Sequence, residues 1–185
     1  MMAKRQHIRV PYVLLTLTIP SEAKRVYLAL LHSRDGTNKQ IRVKIQKIAE
    51  RAGLKERQVK KHIRTLCDSN MLSRKQIIHG KDAWGSNEYT IKCDETYYAA
   101  IPYEIAFDLK LSALELMTYC ALKRHTDLNK QDFTCWMDKN KLAEEVGCST
   151  NHIDKLKRGL RRAGYIDYVR DDSQITLIHE RQLEN

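Results

Sequence analysis

The side chains best suited to chemistry in this chain are hydrogen-bond donors in clusters, rather than nucleophiles or metal ligands. Lys55, Arg57, Gln58, Lys60, Lys61 and Arg64 interleave with apolar Val59, Ile63 and Leu66, and Thr150, Asn151, His152, Lys155, Arg158 and Arg161 interleave with Ile153, Leu156 and Leu160. Guanidinium and carboxamide groups meet guanine and adenine edges in bidentate fashion, whereas lysine and further arginine neutralise phosphates. Arg57 and Gln58 in the first cluster and Thr150, Asn151 and His152 in the second are therefore read as base-edge contacts. Lys60, Lys61 and Arg64 suit phosphates, and Lys155 and Arg158 occupy positions equivalent to Lys61 and Arg64. Arg74 and Lys81, further along, would reach a neighbouring minor groove or backbone. The chemistry is recognition of a polyanion with readable edges; the bland alternative is a solvated helix face.

Other chemistries find little support. The seven histidines form no H-x-H or H-x-x-x-H pair, and the five cysteines form no C-x-x-C pair, so no metal site is expected. Asp171-Asp172 and Glu144-Glu145 are adjacent carboxylates without the spaced convergence of a two-metal centre. No phosphate-cradling glycine loop is present, and Trp84 and Trp136 are read as packing anchors. The chain is expected to be no enzyme and to carry no cofactor.

Charge points the same way. Residues 1 to 92 hold 20 Lys and Arg against 7 Asp and Glu, whereas residues 93 to 185 hold 13 against 16, so a polyanion should be gripped mainly by the first half. With 42% hydrophobic and 30% charged residues but only 7 Gly and 3 Pro, the chain should fold throughout and be rich in helix. No stretch approaches a membrane span and no cleavable leader is seen, so a cytoplasmic protein with reduced thiols is expected.

The elements that position the clusters come from an internal repeat. Val10-Pro11-Tyr12 matches Ile101-Pro102-Tyr103, and Val26-Tyr27-Leu28-Ala29-Leu30 matches Thr118-Tyr119-Cys120-Ala121-Leu122. Ile48-Ala49-Glu50-Arg51-Ala52-Gly53-Leu54 then matches Leu142-Ala143-Glu144-Glu145-Val146-Gly147-Cys148, and Asn70-Met71-Leu72 matches Gly164-Tyr165-Ile166. Apolar spacing of three and four predicts helices near 21–33, 43–52 and 55–69, and again near 112–126, 138–146 and 149–163. Gly53 and Gly147 sit where a turn between helices needs positive φ, and Ser149 is expected to cap the last helix. Two β-prone runs follow each third helix, Gln76 to His79 and Glu88 to Lys92 in the first repeat. Three helices and a hairpin make a winged helix, so the fold class is mainly α with small β wings (α+β). The expected domains are 1–92 and 99–185, joined by a linker at 93–98.

The pattern A-E-x-x-G, an apolar and basic stretch, then a closing Gly-Tyr-Ile or Asn-Met-Leu resembles the bacterial winged helix-turn-helix superfamily. The I-P-Y opening and L-A-E-E-V-G-C-S resemble more narrowly the helix-turn-helix domains of plasmid and phage replication proteins and related regulators. The first repeat departs from the pattern at Arg51, Lys55 and Ser69-Asn70. The resemblance implies a sequence-specific double-stranded DNA-binding protein acting in replication initiation or transcription regulation. A homodimer, or a replication or transcription protein as partner, belongs to the same expectation. The alternative is a scaffold whose winged helices dock protein; RNA binding ranks last, for lack of an aromatic platform.

Overall fold

A computed structural model describes residues 7–34, 38–76, 87–93, 96–126, 133–168 and 174–178. The chain divides into two compact units, one formed by 19–96 and the other by 1–18 together with 97–185.

In the 19–96 unit the elements are α2 (Ser21–Leu31), β2 (Gln40–Val43), α3 (Ile45–Ala52), α4 (Glu56–Asp68), β3 (Leu72–Gln76) and β4 (Asn87–Ile91), following β1 (His7–Pro11) and α1 (Tyr12–Thr16) of the other unit. Its sheet has the order β2-β4-β3 and is antiparallel throughout. The core forms where helix stripes at spacing three and four meet the alternating inward positions of the strands. Val26, Leu30, Ile48, Val59, Ile63, Leu66, Ile41 and Ile91 are all buried there. Tyr27 is wholly buried, and its hydroxyl lies 2.6 Å from Cys93 Sγ.

The other unit adds β5 (Tyr98–Pro102), α5 (Tyr103–Ala106), α6 (Ala113–Arg124), β6 (Thr134–Trp136), α7 (Lys139–Val146), α8 (Thr150–Arg162), β7 (Ile166–Tyr168) and β8 (Gln174–Leu177). Its three-stranded sheet repeats the pattern, β6-β8-β7. The correspondence reaches single bonds: Lys92 N–H donates to Met71 O and Ile178 N–H to Tyr165 O, while Ile91 N–H donates to Lys39 O and Leu177 N–H to Phe133 O. Each unit is thus a three-helix, three-strand winged helix, and the α+β tandem architecture holds.

The turns explain the repeated glycines. Gly53 (φ 65°) and Gly147 (φ 76°) end α3 and α7 in the left-handed region, and the next residue's N–H bonds back to Ala49 O or Ala143 O. The third helices end on Asn70 (φ 56°) and Gly164 (φ 79°), and again the next N–H reaches back, to Leu66 O or Leu160 O. Asparagine tolerates that conformation better than most L residues, which accounts for Ser69-Asn70 standing where Ala-Gly is customary. Ser149 occupies the N-cap of α8 but its side chain makes no cap bond. Working side-chain caps are found at Ser112, whose Oγ accepts from Glu115 N–H, and at Asp138, which accepts from Asn140 and Lys141.

Three expectations are corrected. The domain boundaries at 1–92 and 99–185 do not hold for the first 18 residues, which belong with 97–185. Strand β1 alternates exposed and buried residues and would leave its backbone unpaired alone; it pairs antiparallel with β5, Ile8 opposite Ile101 and Val10 opposite Ala99. Ile8, Val10, Leu14 and Leu15 are then buried, and α1 packs on α6 and α7. The linker expected at 93–98 begins with Cys93, which is core of the 19–96 unit, and ends with Tyr98, which opens β5. Finally, β3 starts at Leu72 rather than Gln76, and the stretches before α3 and α7 each contain a strand, because a hairpin face needs a third strand to pair its open edge.

This assignment gives a direct expectation. Leu14→Ala removes a fully buried side chain and should cost about 2–5 kcal/mol. Hydrogen exchange at constant pH should quicken in α6 to α8 and stay unchanged in α2 to α4; acceleration in α2 to α4 instead would reverse the allocation of the first segment.

Candidate nucleic-acid interface

The third helix of each unit is amphipathic, so the residues that seat it in the core dictate what it shows to solvent. In α4, Val59, Ile63 and Leu66 are buried, which leaves Arg57, Lys60, Lys61 and Arg64 at spacings of three, four and seven on the opposite face. Arg57, Gln58, Lys60, Lys61 and Arg64 line one groove of about 540 Å³. Lys55, also exposed, is the N-cap residue of the same helix. Six of the predicted cationic and amide residues therefore lie on one element.

Gln58 is less free than its type suggests. Its Oε1 accepts the Lys55 backbone N–H at 3.0 Å, one half of a capping box. A lysine side chain has no acceptor, so the other half does not form as a hydrogen bond. With its acceptor engaged, Gln58 presents only its amide N–H groups, which suit guanine O6 or N7, thymine O4 or a phosphate rather than the bidentate adenine contact.

Arg74 does not line that groove. It stands on β3 opposite Tyr89 and close enough to the Cys67 thiol, near the end of α4, to oppose the upward pKa shift that burial causes there. Lys81 and Trp84 lie outside the described residues, as do Asp171 and Asp172.

In α8, Asn151, His152, Lys155, Arg158 and Arg161 are exposed and Thr150 is half-buried. The structure does not gather them all into one groove. Arg158 and Arg161 join Arg162 and Tyr168 in a groove of about 530 Å³ at the C-terminal end of the helix, without Thr150, Asn151, His152 or Lys155. Asp154, a residue not singled out in the sequence, sits amid the exposed face and receives the Lys139 Nζ at 2.5 Å. Trp136, expected to be a packing anchor, is 64% exposed, because on β6 the neighbouring Cys135 takes the inward position.

Around Glu145 a polar cluster braces α6 against α7: Arg124 at 3.0 Å and His125 at 2.8 Å share its carboxylate, and the Arg124 guanidinium also lies 4.7 Å from the Tyr12 ring. Tyr165, at the end of the α8 turn, donates to Asp108 at 2.8 Å; burial first, then that carboxylate, pushes its pKa up to about 12, so it stays a donor at neutral pH. Among the described residues no group of three His, Cys, Asp or Glu converges as a metal site, and no helix is long and apolar enough to cross a membrane.

One buried polar group lies on the inner face of α4. His62 is 8% exposed and its Nδ1 has no hydrogen-bond partner. Burial lowers its pKa, against an opposing pull from Glu22 and with a smaller push from Lys61; burial, then Arg51, also lowers His32. Both rings therefore fold neutral. Their stability contribution is complete above the ordinary value of 6.5 and is lost as pH falls below it toward the folded-state values. The melting temperature should accordingly fall between about pH 7.5 and 5.5, and fall less in His62→Gln; an equal fall in both would remove His62 from the account.

The family of the helix-turn-helix domain matches the chain twice, over residues 17–72 and 109–166. No curated protein matches it. The two matched stretches hold the three helices of each unit, end at the start of the wing hairpin, and cover more than half of the chain. The chain thus belongs to the helix-turn-helix domain family, as a tandem member with one winged helix in each unit.

Proposed function

We propose that this protein binds double-stranded DNA sequence-specifically, with α4 as the principal reading helix. The observation that carries the proposal is the α4 groove: three turns of helix face with four cations and an amide and, among the five residues that line it, no carboxylate. Helix-turn-helix domains place such a helix in the major groove, its N-terminal side chains on base edges and its flanks on phosphates. Arg57 and the amide of Gln58 take the base edges, while Lys55, Lys60, Lys61 and Arg64 take phosphates. Arg74 and Lys81 supply the flank beyond the helix.

The unit charges favour the same division. The 19–96 unit has 17 Lys and Arg against 9 Asp and Glu, and the remainder has 16 against 14. The resemblance to plasmid and phage replication proteins favours a role in replication initiation or transcription regulation, in the cytoplasm and without catalysis. One observation favours the alternative of protein docking for the second unit: Trp136 is a large, exposed aromatic side chain of the kind that anchors protein interfaces.

The test is fluorescence anisotropy on random duplex DNA across a salt series. Affinity should fall steeply with salt, and Arg57→Ala/Lys61→Ala/Arg64→Ala should flatten the log–log slope by about 2–3, at roughly 0.9 per phosphate contact. A wild-type slope near zero, or one indifferent to those three changes, would move the reading to protein docking.

A further inference from the structure

The two third helices are equivalent in fold, but their charge is not in the same place. With the repeat offset, the outward stripe Arg57, Lys60, Lys61, Arg64 of α4 corresponds to Asn151, Asp154, Lys155, Arg158 of α8. The first cation of the stripe is replaced by an amide and the second by a carboxylate that Lys139 already occupies. One turn later the substitution reverses: Cys67 and Asp68 of α4 correspond to Arg161 and Arg162 of α8. The cationic centre has moved toward the helix C-terminus by about five residues, or about 8 Å at 1.5 Å per residue.

The adjoining strand changes in concert. Arg74 on β3 corresponds to Tyr168 on β7. The Tyr168 ring receives Lys157 Nζ at 4.3 Å and the Arg161 guanidinium at 5.1 Å from its centroid, and Arg161 Nε also pairs with Asp167 at 3.0 Å. This clasp ties the base of the wing to the end of α8 and holds Arg158, Arg161 and Arg162 around one groove. Four cations with one carboxylate among them leave a net positive concavity. Arginine in the last turn also complements the helix dipole, but the dipole accounts for neither Arg158, a turn earlier, nor an aromatic ring wedged between cations.

We infer that this groove is a phosphate clamp for the backbone of duplex DNA, so that the second unit grips without reading. The inference rests on the DNA-binding proposal and deepens it: base recognition belongs to α4, and α8 contributes affinity that is the same for every sequence. Planar guanidinium groups suit phosphate oxygens in pairs, and the ring fixes the Arg161 guanidinium before the phosphate arrives.

The experiment uses the full chain, a set of duplexes of different sequence and a salt series. Arg158→Gln/Arg162→Gln should lower the salt slope by about 2, and the exposed single change Arg162→Gln by about 1, each to the same extent on every duplex. Tyr168→Leu should weaken binding on all duplexes alike. Arg57→Ala, by contrast, should alter the ranking of the duplexes. If the wild type binds with a steep slope and Arg162→Gln leaves it unchanged, the clamp is overturned while DNA binding stands. A loss that depends on sequence would also overturn it, as it would make α8 a reader. If the wild type shows no salt-dependent duplex binding, the functional proposal and the clamp fall together.

Discussion

Both units depend on a chain reversal that an L residue makes only under strain. Between the second and third helices the backbone enters the left-handed region at Gly53 and Gly147, and the following N–H closes the end of the second helix. A side chain at Gly147 would meet nothing within 4 Å, so the constraint there is on φ and not on space. For most residues that conformation costs about 1–2 kcal/mol. The angle set there decides which face of the third helix meets the core, and hence which donors point to solvent.

From that orientation, burial does the rest. Val59, Ile63 and Leu66, and likewise Ile153, Leu156 and Leu160, bind the third helix to its unit through the hydrophobic effect. The charged residues between them remain outside because burying them unpaired would cost several kcal/mol each. The face that holds the helix and the face that meets a partner are therefore two consequences of one periodicity. His62 is the exception, a polar ring carried to the inside of α4 with one nitrogen unmatched.

The repeat is not simply two beads in series. The strand that opens the first repeat, β1, pairs with the strand that opens the second, β5, so the chain begins and ends in one unit while the other is inserted between. Two strands that would each expose an unpaired backbone satisfy one another. The charge of the first 18 residues goes with them, which narrows the contrast between the halves to a contrast of 17 against 9 and 16 against 14 basic and acidic residues.

The sequence alone determined the repeat, the six helices of the two three-helix cores, their boundaries to within two residues, and the cationic face of α4, because all of these follow from local spacing and turn chemistry. It also contained every residue of the second groove, yet Arg158 and Arg161 looked like companions of Asn151 and His152 until the fold set them beside Tyr168. The engaged oxygen of Gln58, the carboxylate of Asp154 on the outer face, the exposed ring of Trp136 and the capture of β1 by β5 were decided by tertiary structure. Each depends on a neighbour that is not given by periodicity: a partner strand about ninety residues away, a strand packed against the end of a helix, or a side chain claimed by its own helix cap. Periodicity states which residues face outward, and only the assembled chain states what stands next to them.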